Sequence, residues 1–468
     1  MDDPEGTRLD PADWQAFREN VGDLLAASID RLERAREFPW ILPPEDLAAR
    51  VTLKDARDGV GEGAVFEAIR RDIMPYATGN THPGFFGWVH GTGSAVGMAA
   101  QMAAAAMNAN CGGRNHGAGT VEVAVIDWLC RLAGLPETAF GLMTSGTSQA
   151  TILALNAARF RLFGADVRAK GIRALPEVAV YAAEGAHTCI SNALEVMGHG
   201  ANALRLIPTL PGGGMDVSLL EAALQGDKAA GIMPMAVVAT AGSVNTGVFD
   251  AIEDVATLCE AHGIWLHVDA AFGFWTLLAD APWCDLPKGI GRAQSVALDF
   301  HKWFGAPYAA GACLIHDREV HRATFAARPE YLAQGQGLAG GSPWFTDYGI
   351  ELSRGFSALM VWAMVKAIGT DAIGASVTDN CKQAQLMGDL VAATPRLSLA
   401  HPVVSNLCCF YIPGDADAVA ARLQLSGAAV FSTTKIGGKT CLRAAIVNHR
   451  TTSNDIRAAI QAVKAALH

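Results

Sequence analysis

The chain has 468 residues, 51% of them hydrophobic and 18% charged, with a formal net charge of −10. That length is more than one small domain needs, and the apolar share can fill a sizeable core, so a disordered chain is excluded. The acidic balance, with no long basic run, argues against nucleic acid and anionic membranes as partners.

The opening Met1-Asp-Asp-Pro-Glu-Gly is acidic and polar, unlike a secretory signal. Trp14, Phe17, Val21, Leu24, Leu25, Ile29 and Leu32 then recur at three- and four-residue steps. That spacing predicts one amphipathic helix, opened by Asp10-Pro11 and ended by Pro39 and Pro43-Pro44. Its apolar stripe needs a surface to cover, on its own body or on a second subunit. Gly93 to Met107 is Ala- and Gly-rich and too short to span a bilayer, so it is expected to be a buried helix. The ten cysteines include no CxxC pair and read as buried small hydrophobes, with neither structural disulfides nor a metal site expected. A cytoplasmic protein is the expectation.

From residue 76 to 351 short apolar runs alternate with helical ones. Val178 to Tyr181, Met235 to Thr240, Ile264 to Val268 and Ser295 to Leu298 read as buried parallel strands, with Ile252 to His262 as one of the helices between them. This is the βαβ pattern of a doubly wound α/β sheet. Residues 352–468 mix helices with the strands Leu407 to Ile412 and Lys439 to Val447, which predicts a smaller α+β domain. Residues 1–75 form a third, helical unit.

Four pieces carry chemistry. Phe140-Gly-Leu-Met-Thr-Ser runs into Gly146-Thr147-Ser148 and a helix. Free N–H groups and hydroxyls at a helix start make an anion site, and Gly146 admits close backbone approach; alone, Ser and Thr there are ordinary caps. His187 follows a strand and can lie flat on a cofactor ring, although a lone histidine is more often packed or capping. Asp269 ends the strand Trp265-Leu-His-Val-Asp, where a buried carboxylate wants a cation or else caps a helix. Lys302 follows Ser295-Val-Ala-Leu-Asp-Phe-His. A desolvated lysine near a cationic ring has a lowered pKa and can form a Schiff base with an aldehyde cofactor; the alternative is a surface lysine with a packed stem. Lysine and acid together suggest pyridoxal phosphate.

In this order the pieces resemble the pyridoxal-phosphate-dependent group II amino-acid decarboxylases of fold type I, with aromatic-L-amino-acid decarboxylases among them. The resemblance runs over nearly the whole chain. It is carried by Thr81-His-Pro-Gly-Phe-Phe, Ser148-Gln-Ala-Thr, Ala186-His187, His267-Val-Asp269-Ala-Ala271, His301-Lys302-Trp303 and Leu442-Arg443 to Asn448. It implies the aspartate-aminotransferase-like architecture, a seven-stranded mainly parallel sheet with a small α+β C-terminal domain, and a homodimer with active sites at the subunit interface. Lys302 then bonds the cofactor, Asp269 pairs with the pyridine nitrogen, His187 stacks on one ring face and Ala271 packs on the other. Gly146, Thr147, Ser148 and His301 hold the phosphate. Tyr331, in Arg328-Pro-Glu-Tyr331-Leu, resembles the loop tyrosine that returns a proton to Cα.

The chain departs from the aromatic pattern at three places. Ala109 to His116, which in aromatic relatives is an apolar segment reaching into the partner subunit's pocket, is smaller and more polar here and adds Arg114; Trp88-Val-His90 replaces a proline-bearing run, and Ser243-Val244 stands for Thr-Thr. Asp299 is awkward beside a phosphate unless a donor lies between. Phe86, Trp88, His90 and Arg114 are the expected substrate contacts. Decarboxylation of tryptophan, tyrosine or phenylalanine is the first expectation, and an acidic or other polar amino acid at Arg114 the second. An aldehyde synthase, an aminotransferase using Arg443 or Arg450, and a non-enzymatic scaffold remain alternatives.

Overall fold

Runs of Val, Ile, Leu and Ala only four to eight residues long suit strands covered on both faces, and that is how they fold. The structure, a computed structural model, describes residues 9–54, 57–327 and 335–467. The large sheet has seven strands: β1 (Phe140–Thr144), β2 (Val178–Ala183), β3 (Leu204–Ile207), β4 (Met233–Thr240), β5 (Trp265–Asp269), β6 (Ser295–Asp299) and β7 (Gly311–Ile315). Their order is β1-β7-β6-β5-β4-β2-β3. Only β7 runs antiparallel to its neighbours, so the expected mainly parallel sheet is present. Every residue of β1, β2, β5, β6 and β7 is buried. The helices Thr147–Phe163 and Ile252–His262 pack on this sheet, the latter with the bounds read from sequence.

The C-terminal sheet has four antiparallel strands, β8 (Ser398–Leu399), β9 (Leu407–Tyr411), β10 (Ser432–Ile436) and β11 (Lys439–Ala445), in the order β10-β11-β9-β8. With the helices Thr370–Ala392, Ala416–Leu425 and Ser453–Ala466 it encloses a second core. Residues 84–86 join this sheet from the N-terminal side: Val430 N donates to Gly84 O, Phe86 N to Val430 O and Ala445 N to Phe86 O. Phe86 is therefore fully buried against Phe431, with ring centroids 5.6 Å apart.

Two local readings are corrected. The first helix spans Trp14–Glu33 and is capped by Asp13, whose carboxylate accepts from Gln15 N and Ala16 N, rather than by Asp10. The Ala-rich helix spans Ala95–Met107, but only Gly97 and Ala100 are buried, while Met102 and Met107 are about half exposed at 52% and 54%. Among the described residues no single helix is long and apolar enough to cross a membrane. All ten cysteines are free thiols, and nine are buried.

Burial also fixes the charge state of two core histidines. His267 on β5 bonds Ser295 Oγ at 2.9 Å, and His321 donates through Nε2 to Tyr348 O at 2.7 Å. Desolvation pushes His267 down to about 4 and His321 down to about 3. In the unfolded chain both take up a proton near pH ~6.5, so the stability they confer is complete above that value and is lost as pH falls toward ~4. The urea midpoint is expected to drop between pH ~7 and ~5 by more than surface carboxylates explain; a flat midpoint would contradict the neutral burial of these rings.

Candidate active site

In a parallel sheet the carboxyl ends of neighbouring strands open onto one edge, where ligands gather. Here the ends of β1, β4, β5 and β6 border a cavity of about 550 Å³. Gly146, Thr147, Ser148, His187, Asp269, Ala271, His301 and Lys302 line it, and so does Trp88. The structure thus brings nine of the sequence-predicted site residues to one place. Phe86 is not among them, because it belongs to the C-terminal core. Arg114 is not either, since its guanidinium lies 4.9 Å above the Trp344 ring. His90 stands behind the wall, stacked on Phe85 at 5.9 Å and on Trp88 at 5.3 Å, and burial lowers its pKa. Tyr331 lies outside the described residues.

One end of the cavity is a cup at the start of the helix Thr147–Phe163. The N-cap is Gly146, with no side-chain cap, so the hydroxyls do not act as ordinary caps. Thr147 Oγ1 is buried without a partner. Unpaired helix N–H groups and an unsatisfied hydroxyl form an anion cradle. A Cβ on Gly146 would stand 3.2 Å from His301 Cε1, so glycine keeps the cradle open. His301 is held through Nδ1, 2.8 Å from Ala310 O, and desolvation lowers its pKa and keeps the ring neutral.

At the other end Asp269 is 4% exposed. Its Oδ1 accepts from Ala271 N at 3.1 Å, and the thiol of Cys189 stands 3.9 Å from Oδ2. The short helix that follows is capped by Phe272, so Asp269 is no helix cap. Desolvation drives its pKa up, while Lys302 pulls it down. A carboxylate so placed wants a cation. His187 is fixed by Cys189 N, which donates to its Nδ1 at 3.1 Å.

Lys302 departs from the sequence reading. Its ammonium is 2.7 Å from Asp299 Oδ2. Burial lowers the lysine pKa, but Asp299 and Asp269 outweigh it, and the net direction is up rather than down. Asp299 has a donor at the helix start, since Thr147 N donates to its Oδ1 at 2.7 Å. Sequence reasoning missed Thr240 and Cys189 as lining residues. Thr240 closes an apolar strand, as Asp269 does, and its Oγ1 is buried without a partner; Cys189 lies two positions beyond His187.

Residues 44–413 match the pyridoxal-dependent decarboxylase conserved domain. The chain belongs to this family. An aromatic-L-amino-acid decarboxylase of Bacillus atrophaeus is 29% identical over 98% of this chain and 97% of its own length. An L-2,4-diaminobutyrate decarboxylase of Rhizobium meliloti (strain 1021) is 29% identical over 86% of this chain and 82% of its own. The fold is that of Oryza sativa TDC, solved with PLP and tryptamine, which superposes with a TM-score of 0.89 over 98% of both chains at 24% identity. The protein is a pyridoxal-phosphate-dependent amino-acid decarboxylase of fold type I.

The residues present fit this cofactor. The cradle with the orphaned Thr147 hydroxyl suits its phosphate, the buried Asp269 carboxylate suits a protonated ring nitrogen, and Lys302 between them suits its aldehyde. Asp269→Asn is expected to bind pyridoxal phosphate, seen by its absorbance, while turnover falls about a hundredfold or more, because a neutral amide no longer stabilises charge on the ring. Near-normal turnover would remove that role from Asp269.

Proposed function

We propose that this enzyme decarboxylates an aromatic L-amino acid (tryptophan, tyrosine or phenylalanine) to its amine and CO2. The observation that carries the assignment to this cavity is the placement of Lys302 and Asp269 in one lining, with the lysine charge felt at the acid. Bound pyridoxal phosphate supplies the sink for the electron pair left by the departing carboxylate. Lys302 would hold the cofactor through its amine, Asp269 would keep the ring nitrogen protonated, and His187 and Ala271 would flank the ring. Gly146, Thr147, Ser148 and His301 bind the phosphate. Tyr331 donates the proton to Cα.

The aromatic choice is supported by the wall of the cavity. Trp88, Val89, Val244 and Phe272 line it. A neutral His90 braced between Phe85 and Trp88 offers no cation to an acidic side chain. Arg114 lies over the Trp344 ring of its own chain. Arg443 and Arg450, either of which could serve an aminotransferase, are engaged with backbone carbonyls. Arg443 donates to Trp88 O at 3.2 Å and Asn245 O at 3.3 Å, and Arg450 to Thr92 O and Gly93 O at 3.3 Å each.

We infer an arrangement of units at residues 1–75, 76–351 and 352–468 and a homodimer with active sites between the subunits. The helix Trp14–Glu33 carries an apolar stripe yet buries no residue in its own chain, which supports a second copy covering it. Light scattering is expected to give twice the chain mass, and a chain-mass particle at working concentration would refute the pairing. Ten free cysteines support a reducing, cytoplasmic setting.

The direct test incubates the pyridoxal-phosphate-loaded enzyme with single amino acids while CO2, amine, aldehyde and peroxide are followed. CO2 matched by amine from tryptophan, tyrosine or phenylalanine is expected. CO2 only from acidic or other polar amino acids would move the substrate assignment to Arg114. Tyr331→Phe is expected to shift product from amine toward aldehyde, and an unchanged amine yield would exclude Tyr331 from proton return.

A further inference from the structure

Asp299 ends β6 with 1% of its surface exposed. Its two oxygens have separate partners. Oδ1 accepts from Thr147 N at 2.7 Å, and Oδ2 accepts from Lys302 Nζ at 2.7 Å. Glycine at 311 and 146 makes room for the carboxylate: a Cβ on Gly311 would come 2.7 Å from Oδ1, and one on Gly146 3.4 Å. Asp299 takes a helix N–H that the anion cradle would otherwise offer. The groups around it are Lys302 and His301 from its own loop, Asp269 from β5, Cys189 from the helix that follows His187, and Tyr308 from the segment beyond Lys302. Burial pushes the Cys189 thiol up to about 12 and keeps His301 and Tyr308 neutral. Lys302 is the one cation within this set, and it stands against two carboxylates.

Resting on the assignment of this cavity to the cofactor, we propose that Asp299 makes cofactor binding proton-linked. Lys302 leaves the carboxylate to hold the cofactor, and Asp299 and the cofactor phosphate then share one proton taken from solvent. Two adjacent anions, one of them a carboxylate with 1% of its surface exposed, disfavour each other's full charge, and a shared proton turns their repulsion into a hydrogen bond. Condensation of the Lys302 ammonium with the cofactor aldehyde would form a protonated C=N bond and release one water with no net proton change, for either ligand, and the linked step would move one further proton from solvent to the carboxylate–phosphate pair. Asp299 is thus a charge-balancing residue of the cup, distinct from the groups that act on substrate.

The test titrates the full-length, cofactor-free chain with pyridoxal 5′-phosphate and, separately, with pyridoxal, by calorimetry in two buffers of different ionisation enthalpy. The unaltered chain is expected to take up about one proton more with the phosphate form than with pyridoxal, and its affinity for that form to fall about tenfold per pH unit above neutrality. In Asp299→Asn, whose amide oxygen still accepts from Thr147 N, the extra proton and the pH slope are expected to vanish. Equal proton uptake with the two ligands in the unaltered chain would overturn the inference whether or not the variant folds. So would an extra proton that persists in the variant. Failure of pyridoxal 5′-phosphate to bind would overturn the assignment of the cavity and the inference with it, whereas its binding without a phosphate-linked proton would overturn the inference alone.

Discussion

Asp269 ends a central strand with its carboxylate out of water and one backbone N–H to satisfy it. Leaving a charge so placed is costly unless a cation stands close. The rest of the cavity can be understood as the answer to that constraint. Lys302 approaches from the next strand, and β5 and β6 are hydrogen-bonded neighbours, so acid and amine are placed by sheet register. The apolar runs that bury both strands on both faces are what make the site dry, and dryness is what gives the charges their reach.

Much of this was legible in the sequence because the relevant physics is local. A β-branched, apolar run of five residues that stops at a polar group identifies both a strand and its open end, and Asp269 and Lys302 were found that way. The helix Ile252–His262 was found from its period, and the anion cradle from Ser-Gly-Thr-Ser at a strand-to-helix turn. The parts that stayed hidden depend on contacts distant in sequence. Nothing around Phe86 signals that residues 84–86 add to a sheet whose other strands lie roughly 300 residues further along the chain, and so an aromatic residue expected beside the substrate turns out to fill another core. Lys302 read as an amine with a depressed pKa because its apolar flanks were visible, while the orientation of Asp299 back toward it was not.

The outer surface shows the same division. Composition and period give the helices Trp14–Glu33 and Ala95–Met107, but period alone does not say which surface receives an apolar face. In one chain the first helix buries nothing and the second keeps two methionines half open. These faces lie on elements that flank the cavity-bearing domain.

Arg443 draws a different thread through the molecule. It sits on β11, in the C-terminal sheet, yet its guanidinium donates to Trp88 O and to Asn245 O, and it also bonds Val244 O. Trp88 and Val244 both line the cavity and lie more than 150 residues apart in the chain. One planar cation, buried and unable to lose its charge, therefore laces two separate wall segments to a third element. The C-terminal sheet is thus a structural support of the cavity wall, although its strands contribute no residue to the lining.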